Sequence, residues 1–400
     1  MIEFIENNLW IFPIAFGALS VLIGLFGLGF NIGQRIGEGK SPAAVEVKNY
    51  KKLAEQAETE RDEARAKNAQ HSSDIRRYMK LKEALLNGER ALWNSHDAVP
   101  FEGYDKAIQQ NDIKVLTVMN LKGGVGKTTI AANLAAHFDL ELKQRVLLVD
   151  LDYQGSASAA LMRMSQYEEL PYQHAKRIFT STNDIPSPPE LALALRPHLP
   201  RTFLTPCSYE FAALENRQMV SWLFQELSYD PRYCLAAVLY SKEFCDQFDV
   251  VIIDAPPRLS LGAINAITAC RHLIIPTVPD LMSTEAVGNF VSQLNSLGPT
   301  LNPALQKLLI AVNRSDRTEL TPNEQRLIAR AITDAERWNG ILKIIPQNIP
   351  NRVAFSKALS QQTLAYMLDD NVASKTIKSV LRDFGNFVAR EIGIRSKAVV

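Results

Sequence analysis

The chain has 400 residues, enough for one large or two ordinary domains, with an ordinary globular balance of 46% hydrophobic and 22% charged residues. Its net charge of +1 neither favours nor excludes a nucleic-acid partner. The four cysteines, Cys207, Cys234, Cys245 and Cys270, have no CxxC or other metal-ligand spacing and read as buried thiols of a reducing compartment.

The beginning of the chain departs from that balance. Leu9 to Ile32 is a run of 24 residues without a charge. A bilayer core needs about 20 such residues in a helix, and a buried globular helix is usually shorter. A signal peptide would need a basic leading region, whereas residues 1–8 carry Glu3 and Glu6 and no Lys or Arg. The run predicts one transmembrane helix over 9–32. Arg35, Lys40, Lys48, Lys51 and Lys52 follow it, so the positive-inside rule places the rest of the chain in the cytosol and residues 1–8 outside. Gly29, Gly33 and Gly37 form a GxxxGxxxG series that permits close helix approach or makes a flexible exit from the membrane.

Residues 44–93 predict a long helical stalk, with Pro42 just before it and only Gly88 interrupting. A heptad frame gives one row through Val47, Ala54, Arg61, Asn68, Ile75 and Lys82. The other row runs through Tyr50, Ala57, Ala64, His71, Tyr78, Leu85 and Leu92. Only the second row is fairly apolar, so a coiled coil and a solvated single helix both stay open. Either would span roughly 70 Å at 1.5 Å per residue. A polar stretch over 94–111, containing Pro100 and Gly103, reads as a linker.

From 112 the chain alternates apolar runs with helical stretches. Strands are predicted at 114–120, 145–150, 202–205, 250–254, 272–277, 308–313 and 342–345. Their apolar runs lack period-2 alternation, which suits a mostly parallel sheet covered on both faces, an α/β doubly wound fold. Ligands in such sheets bind at the carboxyl ends of strands.

The organising motif follows the first of these strands: Lys122-Gly123-Gly124-Val125-Gly126-Lys127-Thr128-Thr129, with a helical pattern after it. In a strand–glycine loop–helix arrangement, backbone N–H groups and the helix N-terminus face a polyphosphate. Lys127 is placed to neutralise β- and γ-phosphates, and Thr128 to put its hydroxyl on Mg²⁺. Leu121 stands where the strict P-loop template has its first glycine, and Lys122 is an added lysine. Four apolar residues, Val250 to Ile253, deliver Asp254 at a second strand end, the arrangement of a Mg²⁺-shell carboxylate. Asp150 and Asp152 lie at the end of the strand between them.

The K-G-G-x-G-K-T-T form resembles the deviant Walker A motif of the ParA/MinD family of P-loop ATPases. Asp150-Leu151-Asp152-Tyr153-Gln154-Gly155 resembles that family's switch I, D-x-D-P-Q-G, with Tyr153 in place of the proline. Asp254-Ala255-Pro256-Pro257 resembles its switch II, and Ala212, Leu214 and Glu215 a segment before Walker B. The likeness covers 112–392 and leaves 393–400 as a tail. It implies ATP and Mg²⁺ as cofactors. It implies that Asp152 orients or deprotonates the attacking water and that Asp150, with Thr128 and Asp254, supports the metal shell. Gly123 to Thr129 are implied as the phosphate cradle, and Asn313, Pro346 and Asn348 as neighbours of the adenine. Lys122 is implied to reach the phosphates of a second subunit's ATP in a sandwich homodimer.

The function this implies is a membrane-anchored ATPase switch of a bacterial inner membrane. It would recruit or position a protein partner that the sequence does not identify. The alternative is a partition ATPase tethering nonspecific DNA, suggested by Lys375, Lys378, Arg382, Arg390, Arg395 and Lys397 near the end. A capsule-export tyrosine kinase is disfavoured because the chain ends without a tyrosine cluster. An iron–sulfur protein is disfavoured because no cysteine lies in a cluster-binding context.

Overall fold

A computed structural model describes residues 42–86, 88–167, 174–179, 185–315, 319–350, 353–369 and 372–397. The transmembrane helix expected over 9–32 lies outside the described residues. Among the described residues no helix is long and apolar enough to cross a membrane. The chain divides into two units at Lys82/Glu83.

The first unit contains most of a 45-residue helix, Pro42–Leu86. Proline suits a helix start, where its missing N–H has no partner to lose. The helix is polar around most of its circumference. Its few apolar side chains, among them Leu53, Ile75, Tyr78 and Met79, are exposed. Such a helix leans on contacts one turn apart. Gln70 donates to Asp74 at 3.2 Å, and Arg65 lies 3.9 Å from Asp62.

The helix ends seven residues short of the expected Trp93. Gly88 adopts φ +89°, a left-handed conformation that stops a helix at low cost. A separate short helix, Glu89–Trp93, follows, and Trp93 is wholly buried in the second unit. The expected linker is likewise part of that unit. It forms the helix Tyr104–Gln110, buries Tyr104 and Ile108, and its Tyr104 hydroxyl donates to the Thr268 carbonyl at 2.6 Å. The tail packs as well: Ile394 is buried, and Lys397 pairs with Asp249 at 2.7 Å.

The second unit is built on a nine-stranded sheet. Its strands are β1 (Lys114–Val118), β2 (Val146–Asp150), β3 (Leu193–Ala194), β4 (Thr202–Thr205), β5 (Val250–Asp254), β6 (His272–Thr277), β7 (Lys307–Ser315), β8 (Ile341–Ile344) and β9 (Ile349–Pro350). Their order is β3-β4-β2-β5-β1-β6-β7-β8, with β9 beside the end of β7. All pairs are parallel except β3 with β4. Every residue of β2 and β5 is buried, as expected for strands covered on both faces. Leu116, Leu148, Ile252 and Leu309 share one core with the helices Lys127–Leu140 and Val372–Ile392. The intervening Thr117 points to the opposite face and donates to Ala266 of the helix Leu261–Ala269 at 2.9 Å. β1 is central, and the chain leaves it toward β2 on one side and later reaches β6 on the other. That reversal opens a crevice at the carboxyl ends of β1, β2 and β5.

Candidate functional site

The glycine loop grows directly out of β1. Asn120, buried just past the strand, donates to the Pro276 carbonyl at 2.7 Å and accepts from the Lys122 amide at 3.0 Å. The loop then needs a left-handed residue at Gly126, where φ is +89°. A Cβ there would stand 2.0 Å from the Asn313 amide nitrogen, so the position excludes any side chain. The helix Lys127–Leu140 starts at once, with no side-chain cap on its first N–H groups. Those uncapped groups and the helix dipole form an anion-binding end.

Lys127 is buried at that end, and its ammonium donates to the Lys122 carbonyl at 3.1 Å. Burial lowers its pKa, while Asp254 and Asp152 oppose the shift. Thr128 donates to Asp254 Oδ2 at 2.7 Å. The parallel register sets Val118 beside Asp254, so the end of β5 delivers the carboxylate next to the loop that follows β1. Asp254 Oδ1 is buried without a hydrogen-bond partner among the described residues. Burial, reinforced by Asp150, raises the Asp254 pKa well above the carboxylate range. A buried oxygen of this kind beside a threonine hydroxyl is a donor set that fits Mg²⁺, and a cation there would offset both effects.

Asp150 pairs with Asp254 across β2 and β5, yet both of its oxygens are engaged by the protein. One accepts from the Asp152 amide at 3.0 Å. The other accepts from the Ser158 amide at 2.9 Å and the Ser158 hydroxyl at 2.6 Å. Burial pushes its pKa up to about 7 against those bonds. Asp150 therefore shapes the loop and the start of the helix Ser156–Met164, leaving Thr128 and Asp254 as the groups turned toward a metal. Asp152 is half-buried, lines the same cavity as Lys127 and Thr128, and accepts from the Gln154 amide at 3.1 Å.

The two loops that flank the carboxylates touch. The Arg258 guanidinium lies 5.2 Å above the Tyr153 ring, and Tyr153 packs edge-on against Tyr209 at 5.8 Å. Glu215, buried on the helix Glu210–Leu223, holds the second loop. It accepts from Ser260 at 2.6 Å, the Gly262 amide at 2.7 Å and Arg258 at 3.3 Å. Lys122 turns away from the cradle. Its ammonium donates to Asp280 at 3.1 Å and Ser283 at 2.7 Å, the capping residues of the helix Leu281–Leu301.

Lys127, Thr128 and Asp152 line a cavity of about 610 Å³. Gly123, Gly124, Gly126, Thr129 and Asn133 continue the glycine-loop side of the cavity. Asn313 lines the cavity too, but its amide donates to the Val125 carbonyl at 2.8 Å and so braces the glycine loop. Arg314, at φ +54°, does the same to Gly124 at 2.9 Å. Pro346 is exposed, and neither it nor Asn348 is among the lining residues. The reason is β9, which pairs Ile349 with Asn313 and Pro350 with Ser315 and so brings Pro350 to the wall. Phe355, Ala358, Thr363, Leu364 and Ala365 complete the wall. No motif marks these residues. Their only local signal is an apolar stretch following a strand end.

Comparison with known proteins places this geometry. Residues 113–307 match a family model described as an AAA domain. The chromosome-partitioning ATPase Soj of Thermus thermophilus is 28% identical over 258 residues, covering 62% of this chain and 88% of Soj. The first curated relatives matched are covered over less than two thirds of their own length, 63% and 44%. Among solved structures, a Cyanothece McdA–ATP complex aligns with a TM-score of 0.55 at 21% identity, over 72% of this chain and 99% of the other. Cobyrinic acid a,c-diamide synthase of Mycobacterium smegmatis, with an ATP analogue and magnesium, aligns at 0.53 and 24% identity, over 72% of this chain and 98% of the other. These likenesses establish the fold of the second unit, and residues 113–307 carry the match to the AAA-domain model.

Proposed function

We propose that this chain is a ParA/MinD-type ATPase that works as a membrane-anchored switch, binding and hydrolysing ATP with Mg²⁺ and using the ATP state to recruit or position a partner. The observation that carries the reading is the convergence of Lys127, Thr128 and Asp254 on one anion-binding helix end. The glycine loop binds the polyphosphate through backbone N–H groups, and Lys127 neutralises it. Thr128 and Asp254 would hold Mg²⁺, which supplies charge neutralisation at the β- and γ-oxygens. Asp152, at the mouth of the same cavity, orients the attacking water. Glu215 and Asp150 keep the two loops in register with the phosphate site. Residues 9–32 form the anchor, with the ATPase on the cytosolic side.

Lys122 is assigned to a second copy of the chain. Within one chain its ammonium is held by Asp280 and Ser283 instead of the phosphate cradle. Released, it adds a cation to a partner's ATP, as an arginine finger does. Tethering to one membrane raises the effective concentration for this pairing. The test is particle mass and turnover of the detergent-purified full chain with and without ATP and Mg²⁺. ATP should drive pairing, and Lys122→Ala should abolish both pairing and most turnover. If Lys122→Ala pairs and hydrolyses like wild type, the sandwich assignment is wrong.

The DNA-tethering alternative is less favoured by the surface. Arg382 pairs with Glu141 and Lys397 with Asp249, so part of the terminal basic excess is already neutralised. Salt-dependent retention of duplex DNA by the ATP-loaded protein would reverse that preference.

A further inference from the structure

Residues 92–99, the end of the helix Glu89–Trp93 and the segment just after it, make contacts that nucleotide binding does not explain. Trp93 is wholly buried, and its indole N–H donates to the Leu259 carbonyl at 2.7 Å. Its ring stacks on Trp222 with centroids 5.4 Å apart. Arg232, also wholly buried, fixes the backbone around it. One guanidinium nitrogen donates to the Trp93 carbonyl at 2.8 Å, the other to the Asp97 carbonyl at 2.7 Å. Asp230 is its counter-ion at 2.6 Å and also accepts from the Val99 amide at 3.0 Å. A buried guanidinium with all these partners has a single good arrangement, because losing any of them leaves a charge poorly paired away from water.

The segment is thus fastened at both ends and reaches the rest of the site through one indole. What that indole holds is the loop leaving Asp254. Leu259 sits between Arg258, which covers the Tyr153 ring beside Asp152, and Ser260, which donates to Glu215. The loop therefore meets both carboxylate segments of the nucleotide site and the segment after the helices. Packed contacts of this kind rearrange between discrete states more readily than they deform.

We infer that Trp93 is a positioning residue for the Arg258–Ser260 loop, and that through it residues 92–99 respond to nucleotide state. The inference rests on the ATPase reading above. Coupling free energies are reciprocal, so a change in the packing of 92–99 would also shift nucleotide affinity.

Two measurements on the detergent-purified full chain test this. The first is hydrogen exchange of the wild-type protein with and without a nonhydrolysable ATP analogue and Mg²⁺. Exchange over 92–99 should change together with that of the glycine loop. If the glycine loop becomes protected and 92–99 does not respond, the inference is overturned. If the glycine loop itself shows no response, the ATPase reading fails instead. The second is Trp93→Phe, which keeps an aromatic ring and removes the donor. The expected result is a change in kcat of about three- to tenfold with KM for ATP within about twofold, the size of one buried hydrogen bond. An unchanged kcat would overturn the proposal. A Trp93→Phe protein that fails to fold leaves the decision to the wild-type exchange.

Discussion

The two sides of the nucleotide cavity are built by different means. The phosphate side is assembled from neighbouring strands in fixed register. Lys127 and Thr128 follow β1, and Asp254 ends β5 directly beside it. The base side is assembled from chain that returns much later, with Asn313, Pro350, Phe355 and Leu364 on separate segments. The side proposed for phosphate presents a buried ammonium and uncapped backbone N–H groups that are hard to replace. The side proposed for the base presents an apolar wall spread over several segments. The lesson is that chemistry concentrates where topology is most constrained.

That contrast can be attacked from its strongest point downward. Asp254→Asn removes the charge that Thr128 and a cation share. Hydrolysis should fall about 10²- to 10³-fold, as for loss of one preorganised electrostatic group. Steady-state turnover with saturating ATP and Mg²⁺ checks it, and a fall of less than about fivefold would break the assignment. Next, Gly126→Ala puts a methyl where Asn313 already stands, at 2.0 Å, in a left-handed conformation. Nucleotide affinity should drop by at least about tenfold while the fold survives, since the loop is exposed on its cavity side. Equilibrium binding of a fluorescent ATP analogue reads this.

On the base side the effects should be smaller and of another kind. Phe355→Ala should raise KM for ATP by roughly fivefold and leave kcat unchanged, because an apolar wall contributes equally to ground and transition states. An equal loss in kcat would erase the contrast between the two sides.

A further prediction concerns stability and pH. His137, on the helix that begins at Lys127, is wholly buried, and its ring nitrogen meets the Tyr366 hydroxyl at 3.1 Å. Tyr366 in turn donates to Glu141. Burial lowers its pKa from 6.5 to about 4, with Glu141 opposing and Arg382 assisting. The folded state thus binds the proton less well than the unfolded chain. Its contribution is complete above pH 6.5 and falls as pH drops toward about 4, by up to about 3 kcal/mol. Denaturant midpoints of wild type and His137→Gln, compared at pH 7 and pH 5, isolate it. The wild type should lose more stability over that interval than the variant.

Most of the sheet was readable from the chain because buried parallel strands leave unbroken apolar runs. Thr202–Thr205, Val250–Asp254 and His272–Thr277 match the expected bounds to the residue. The two-residue strands β3 and β9 were not, since so short a pairing is decided by its neighbours. The helix ending at Leu86 was expected to run on to Trp93. Composition there favours a helix, whereas burial of Trp93 against Trp222 and Arg232 comes from residues far along the chain.

By itself the sequence determined the strand–glycine loop–helix unit and placed Asp150 and Asp254 at strand ends, because both need little more than local geometry. It also determined most of the length of the helix Pro42–Leu86, while its exposure is read from the structure. Only the tertiary structure decided that Asp150 binds Ser158 and Asp152 instead of facing the cavity, that Pro350 replaces Pro346 on the wall, and that Trp93 grips the loop after Asp254. Each of those depends on which atoms fill a buried hydrogen-bonding position. That competition is settled by groups brought together in space, so no local window of sequence contains the answer.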